Sequence, residues 1–336
     1  MKSEQSSIKL VVFGDLQADR WQEGERPKRV DDFINAIHKV YDIVNDVNAD
    51  MVVYLGDLFE RKDRLHTDVL TKVVATFTDC ITHAGCPTQL VAGNHDLYRS
   101  GNILDIFNDV QNAEVVTQPA SIVYKGYNLL FVPNGTVLSN EQECSSIDYD
   151  IAFMHAEIRG ATLAKGIQSH TSSFGGKLTG DVSFARKTGR RKLILNGHYH
   201  IPQTIQWKSL WKCVPIICVG APLCHSWSDE GDLSNRGCVI VTMTKENVAT
   251  DRVAFDFPKF LPEGHKAIRP GIDFTRPTLD NTKVKSKVDR KGLEAVLSSD
   301  KAESLRAWLK VTYPGLAKDK DWIERIVQQG AKLMIT

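Results

Sequence analysis

The sequence predicts an α/β fold: a four-layer α-β-β-α sandwich of two mixed sheets, with a small C-terminal helical region. Three observations carry that expectation. The runs IKLVVFG (8–14), MVVYLG (51–56), TQLVAG (88–93), DIAFMH (150–155) and KLILNG (192–197) are short and rich in Val, Ile and Leu. They leave no polar face and read as strands buried on both sides. Helical stripes separate the early runs, whereas from Glu114 onward the strands follow one another closely. That change of spacing fits two packed sheets with helices outside them.

Taken in order, the first strand is followed by Phe33, Ile37, Val40, Val44 and Val47, which repeat at helical spacing and give one apolar stripe. A second helix is expected over Thr67–His83 and a shorter one over 103–110. The strands EVVT, SIVYKG and YNLLFVP come next, and TIQWKSL, VPIICVG, GCVIVTM and VATDRVAFDF follow the KLILNG run. These elements make one domain of residues 1–257. Pro258, Pro262, Pro270 and Pro277 mark 258–291 as an extended connector, ending in a basic run with Lys283, Lys285, Lys287, Arg290 and Lys291. In 292–336 three short helical faces are expected, on Leu293, Val296 and Leu297, on Leu305, Trp308 and Leu309, and on Trp322, Ile323, Ile326 and Val327. This region reads equally as a lid on the first domain or as a docking element for a partner, with DNA contact by the basic run in addition.

Composition bounds the answer without deciding it. Lys and Arg number 42 against 41 Asp and Glu, so no global basic field advertises a polyanion. Charge is local instead. Arg61, Lys62 and Arg64 follow one candidate loop, and Arg186, Lys187, Arg190 and Arg191 lead into the KLILNG strand. Each cluster reads either as solvated loop charge or as a contact to phosphate; the second enters its strand at the amino end. Seven cysteines without a C-x-x-C pair suggest reduced thiols in a cytoplasmic compartment. Cys213, Cys218 and Cys224 do not read as a zinc site, because Cys213 and Cys218 fall on opposite faces of a strand. No leader and no membrane-spanning run are expected.

The chemistry lies where the buried strands end. Asp15 and Gln17 follow the first run, Gly56-Asp57 the second, Gly93-Asn94-His95-Asp96 the third, His155 the fourth, and Gly197-His198-Tyr199-His200 the fifth. Open α/β sheets place their sites at these carboxyl ends. Carboxylate and amide oxygens mixed with imidazoles suit manganese, iron or zinc, and suit two ions better than one. Paired divalent ions are a recurrent device for breaking phosphate esters, so the set points to phosphoester hydrolysis.

In order and type, these motifs resemble the calcineurin-like metallophosphoesterase signature, D-x-H, GD, GNH[DE], H, GHxH, over about the first two hundred residues. A second likeness, to the SbcD-like nuclease subunit of a break-repair complex and its phage relatives, rests on CVGAPLCHSWSDE (218–230), Arg236-Gly237 and the strand CVIVTM. The resemblance implies two divalent ions, manganese foremost, with magnesium, iron(II) or zinc as alternatives. Asp15 and His200 would hold the first, Asn94, His155 and His198 the second, and Asp57 both. His95 would be no ligand but the acid over the scissile phosphate, with Asp96 orienting its ring. Implied too are 3′→5′ exonuclease and single-strand endonuclease action on DNA, with single strands and duplex ends, an SbcC-like ATPase subunit and a second copy of the chain as partners; a phage-encoded chain would act in the host cytoplasm. Gln17 departs from the pattern, which has histidine there. An amide oxygen is a weaker ligand than imidazole. Gln17 therefore marks either a loosely held first ion or a lost site on a non-catalytic scaffold, and the intact remainder favours the first. A phosphodiesterase or phosphatase for small nucleotides or phosphoproteins stays open as the alternative to a DNA nuclease.

Overall fold

A computed structural model of the protein describes residues 7–19, 29–99, 101–136, 148–164, 167–169, 189–205, 214–224, 235–257, 259–261, 307–311 and 333–335. Twelve strands form the two large sheets: β1 (Ile8–Phe13), β2 (Met51–Tyr54), β3 (Thr88–Val91), β4 (Ala113–Val116), β5 (Ala120–Tyr124), β6 (Tyr127–Val132), β7 (Ile151–Met154), β8 (Leu193–Asn196), β9 (Gln203–Ile205), β10 (Ile216–Cys218), β11 (Gly237–Met243) and β12 (Val248–Ala254). The first sheet runs β12-β11-β1-β2-β3-β4 and the second β9-β10-β8-β7-β6-β5. In the first, β1 to β4 are parallel while β11 and β12 are antiparallel. In the second, β6, β7, β8 and β10 are parallel and the two edge strands are antiparallel. The expected pair of mixed sheets is present.

Side-chain alternation explains why the sheets stack. Ile8, Leu10 and Val12 of β1 face one way and join Met51, Val53, Val239 and Val241 against Leu129, Phe131, Ile151, Phe153, Leu193 and Leu195 of the second sheet. Phe131 and Phe153 stack there with centroids 5.3 Å apart. The alternate residues Val11, Phe13, Val52 and Tyr54 face the helices α1 (Arg29–Asp46) and α2 (Thr67–His83). Phe33, Ile37, Val40 and Val44 of α1 and Val69, Val73, Phe77 and Ile81 of α2 are buried on that face, at the spacing the sequence shows. Phe77 meets Tyr54, Phe107, Phe13 and Tyr41 edge-on, with centroids 5.3 to 6.2 Å apart. This aromatic cluster pins both helices onto the sheet.

Three expectations change. The third helix is a short 3-10 turn over Ile103–Phe107, started by the Asn102 side chain accepting from the Leu104 N–H. The outer face of the second sheet has no helix among the described residues. Leu130, Met154, Ile194 and Ile216 are covered instead by Tyr149, Ile158, Ala161, Tyr199 and Val214. The Tyr199 hydroxyl bonds both the N–H and the carbonyl of Ile158 and so ties that cover down. Finally, Trp308 and Leu309 lie on a strand, not a helix. Lys259–Leu261, Ala307–Val311 and Leu333–Ile335 form a three-stranded parallel sheet. A five-residue apolar run has no period long enough to separate strand from helix. The remaining helical expectations, on Leu293, Val296, Leu297, Leu305, Trp322, Ile323, Ile326 and Val327, lie outside the described residues, as does the basic run.

Cys80, Cys86, Cys218, Cys224 and Cys238 are buried and form no disulfide among the described residues. Burial pushes the thiols of Cys218 and Cys238 up to about 12, which makes them packing groups rather than ligands or nucleophiles. Cys144 and Cys213 lie outside the described residues. No described helix is long and apolar enough to cross a membrane.

Candidate metal centre

The carboxyl ends of β1, β2 and β3 in one sheet and of β7 and β8 in the other converge, and every sequence-predicted ligand stands on the loops leaving them. The loops after β1 and β2 extend their ladder beyond the strands. Asp15 N–H donates to Gly56 O at 2.8 Å, Gln17 N–H to Asp57 O at 2.9 Å and Ala18 N–H to Leu58 O at 2.8 Å. This pairing holds Asp15, Gln17 and Asp57 at positive φ, 52°, 44° and 59°, and His198 follows β8 at 71°. For non-glycine residues such backbone costs about 1–2 kcal/mol each, and strain of this kind gathers at functional sites. Two glycines make room. A Cβ on Gly93 would stand 2.2 Å from Asp57 Oδ1, and one on Gly197 would stand 2.7 Å from Leu55 O.

Around Asp57 the ligand atoms meet. Asn94 Oδ1 lies 2.9 Å from His155 Nε2 and 2.8 Å from His198 Nδ1, and the two imidazole nitrogens are 3.3 Å apart. Asp57 Oδ2 is 3.4 Å from His155 Nε2 and from Gln17 Nε2. Asp57, His155 and His198 thus form a group able to hold a metal ion. Asp15 joins through Oδ1, which accepts from the His198 N–H at 2.9 Å. Burial raises Asp15 and Glu60, and the charge of His200, which follows β8 two residues after His198, partly opposes that rise. The His155 Nδ1–H donates to Leu55 O at 2.6 Å, which fixes the tautomer and aims Nε2 into the cluster.

The electrostatics are those of a site built around positive charge. Burial pushes Asp15 up to about 6, with Asp57 adding to the push. Burial alone would raise Asp57 too, yet the charge and hydrogen bond of His155 hold it well below the usual carboxylate range. His155 is raised to about 9, because Asp57 and Asp15 outweigh the burial that would lower it. Burial and the charge of His155 push His198 down to about 4. Gln17 Oε1 is a buried acceptor without a hydrogen-bond partner among the described residues. Converging oxygens and imidazole nitrogens with an orphaned amide oxygen fit divalent cations, as the chemistry of the donor set requires.

Two assignments are corrected. Asp96 does not orient the His95 ring. Its buried carboxylate accepts from the N–H of Asp57 at 2.7 Å, Gly93 at 2.8 Å and Leu58 at 2.9 Å, and so knots the β2 and β3 loops together. The His95 ring is held by a group the sequence reading missed, the Glu60 carbonyl, which accepts from Nδ1, while the His95 N–H donates to Asp57 Oδ1 at 2.7 Å. A backbone acceptor leaves no mark in a sequence. Arg191 is the second correction. It is 2% exposed with its guanidinium over the Tyr149 ring, so it cannot reach DNA. Arg190 is exposed at the amino end of β8, away from the ligands at its carboxyl end. Arg186 and Lys187 lie outside the described residues. Arg61, Lys62 and Arg64 are exposed, Arg61 paired with Asp19 at 3.3 Å, and Arg61 and Lys62 line a cleft of about 250 Å³ beside His95. A further structural residue is Arg236, buried at 3%, whose guanidinium donates to His200 O at 2.6 Å and to Leu223 O at 3.2 Å. It fixes the last ligand loop, and its place in the 218–237 motif was its sequence signal.

Residues 8–202 match the family model of calcineurin-like phosphoesterases. The chain belongs to the calcineurin-like phosphoesterase family. Two relatives, each a DNA double-strand break repair protein Mre11, from Halobacterium salinarum and Haloferax volcanii, are 26% identical to this phosphoesterase over 205 residues. That stretch is 60% of this chain and 50% and 44% of theirs, so the chain spans about half the length of these relatives. A dimetal phosphatase from Danio rerio superposes with a TM-score of 0.46 at 11% identity, covering 73% of this chain and 95% of its own.

Asp96→Ala would leave three buried N–H groups without an acceptor, at about 1–3 kcal/mol each. Urea unfolding should show a loss of at least about 3 kcal/mol, and manganese titration should show weakened binding; unchanged stability with slowed turnover would return Asp96 to the ring-orienting role. The pH dependence of ion binding follows from His155. Its folded-state pKa of about 9 lies above the ordinary value, so a cation must displace a proton below that pH. Manganese affinity at the His155 side, measured by calorimetry, should fall as pH drops from 9 to 6, with about one proton released from His155 as that ion binds.

Proposed function

We propose that the protein is a two-metal phosphodiesterase acting on DNA, an SbcD-like 3′→5′ exonuclease and single-strand endonuclease. The observation that carries the reading is the convergence of Asp57, Asn94, His155 and His198, with His95 tethered beside them through both its backbone and its ring. The Mre11 relatives support DNA as the phosphodiester. Asp15, Gln17 and His200 would hold one ion, Asn94, His155 and His198 the other, and Asp57 both, with manganese the best match to the donors. The ions would supply positive charge against the phosphoryl oxygens and lower the pKa of an attacking water.

The chain's own groups do the rest. Asp57 spends one oxygen on the His95 N–H and turns the other toward His155 and Gln17, so one carboxylate ties the His95 backbone to the ligands. The Glu60 carbonyl holds His95 Nδ1–H and leaves Nε2 as the nitrogen that exchanges a proton with the leaving oxygen. Arg61, Lys62 and Arg64 would meet flanking phosphates. An SbcC-like ATPase subunit, engaged through 292–336, and a second copy of the chain are the partners that fit this reading.

With manganese, the purified protein should degrade labelled single strands and duplex ends. His95→Ala should keep ion and DNA binding while losing on the order of a hundredfold or more in turnover. Cleavage of a p-nitrophenyl phosphodiester without cleavage of any DNA would move the substrate to small nucleotides, and loss of metal in His95→Ala would make that residue a ligand.

A further inference from the structure

We propose that the cleft beside His95 is a nucleobase subsite, where the base next to the reacting phosphate stacks on Tyr98 without its identity being read. The inference rests on the phosphodiesterase reading and names what that site recognises beyond phosphate. The cleft lies between the loop after β2 and a small hairpin after β3, in which Leu97–Tyr98 pairs with Gly101–Asn102. Its volume of about 250 Å³ is just under the roughly 300–1,000 Å³ that drug-sized ligands fill, which suits one base with its sugar.

The walls have the chemistry of a stacking platform. Tyr98 is 42% exposed, and its cross-strand partner is Gly101, which has no side chain to cover the ring. The Arg99 guanidinium sits 5.2 Å from the ring centroid and does not line the cleft. It lies over one face of the ring, and a base in the cleft would stack on the other. A cation on one face of a ring and a base on the other is a favourable sandwich. Phe59, Leu65 and Ile103 add apolar surface, while Arg61 and Lys62 supply positive charge at the rim for the phosphate.

Discrimination between bases would need polar groups aimed at the base edge; Arg61, Lys62 and His95 are assigned to phosphate and the leaving group, and Asn102 and Asp96 are committed. Asn102 Oδ1 accepts from the Leu104 N–H and its Nδ2 donates to Asp105. The Asp96 carboxylate is spent on three backbone N–H groups. Stacking without edge recognition tolerates any sequence, because every base has a π-face.

The test compares thymidine 5′-monophosphate, deoxyguanosine 5′-monophosphate and the baseless 2-deoxyribose 5-phosphate by calorimetry on the full chain. Both nucleotides should bind about tenfold or more tightly than the sugar phosphate. Tyr98→Ala should abolish that preference, and Tyr98→Trp should keep it; thermal melting of each variant should stay unchanged because the ring is exposed. Equal binding of all three ligands by the unmodified protein, or a preference that survives Tyr98→Ala, would overturn the subsite. DNA cleavage by the unmodified protein, scored separately, reports on the phosphodiesterase reading alone.

Discussion

The grip of the Asp96 carboxylate on the N–H groups of Asp57, Leu58 and Gly93 is the constraint on which the centre depends. Asp57 sits at φ 59°, in a region that repels its Cβ, and the Asp96 grip adds to the loop ladder and the His95 N–H in keeping it there. Charged acceptors on backbone N–H groups are worth about 1.5–3 kcal/mol each, enough to outweigh the strain. Asp96 is itself raised to about 6, by burial first and then by the nearby charge of Asp57. The knot therefore holds two acids close together, an arrangement that a cation between the loops would relieve. With Asp57 fixed, one oxygen aligns His95 and the other faces His155 and Gln17.

Two sheets are needed because the donors come in two kinds from two places. The first sheet delivers the oxygens, Asp15, Gln17, Asp57 and Asn94, and the second delivers the imidazoles His155, His198 and His200. The inter-sheet core keeps those edges in register. Leu55, in that core, offers its carbonyl across the gap to His155 Nδ1 at 2.6 Å. Arg236 anchors the far side through the carbonyls of His200 and Leu223. Packing sets the imidazoles against the oxygens, which is what gives a buried site built on loops a fixed geometry.

The sandwich and the ligand positions were legible because each is a local pattern, a buried apolar run ending in a donor. Asp96 was misread because its partners are backbone groups on two loops, one of them 38 and 39 residues away, and spacing carries no trace of them. Arg191 looked like a phosphate contact because it sits in a run of charge, but its place just before a buried strand takes it under Tyr149. Trp308 and Leu309 fit a helical spacing that a strand of five residues satisfies as well. Each failure has one source: burial and long-range pairing override a short local pattern.

On the proposed function Asp57 would be shared by two ions, one on the Asp15, Gln17 and His200 side and one on the Asn94, His155 and His198 side. Anomalous diffraction at the manganese edge from crystals grown with manganese tests it most directly. The account predicts two peaks flanking the Asp57 carboxylate, the weaker on the Gln17 side. A single peak at full manganese saturation, or two peaks with Asp57 bound to neither or to only one, would contradict it.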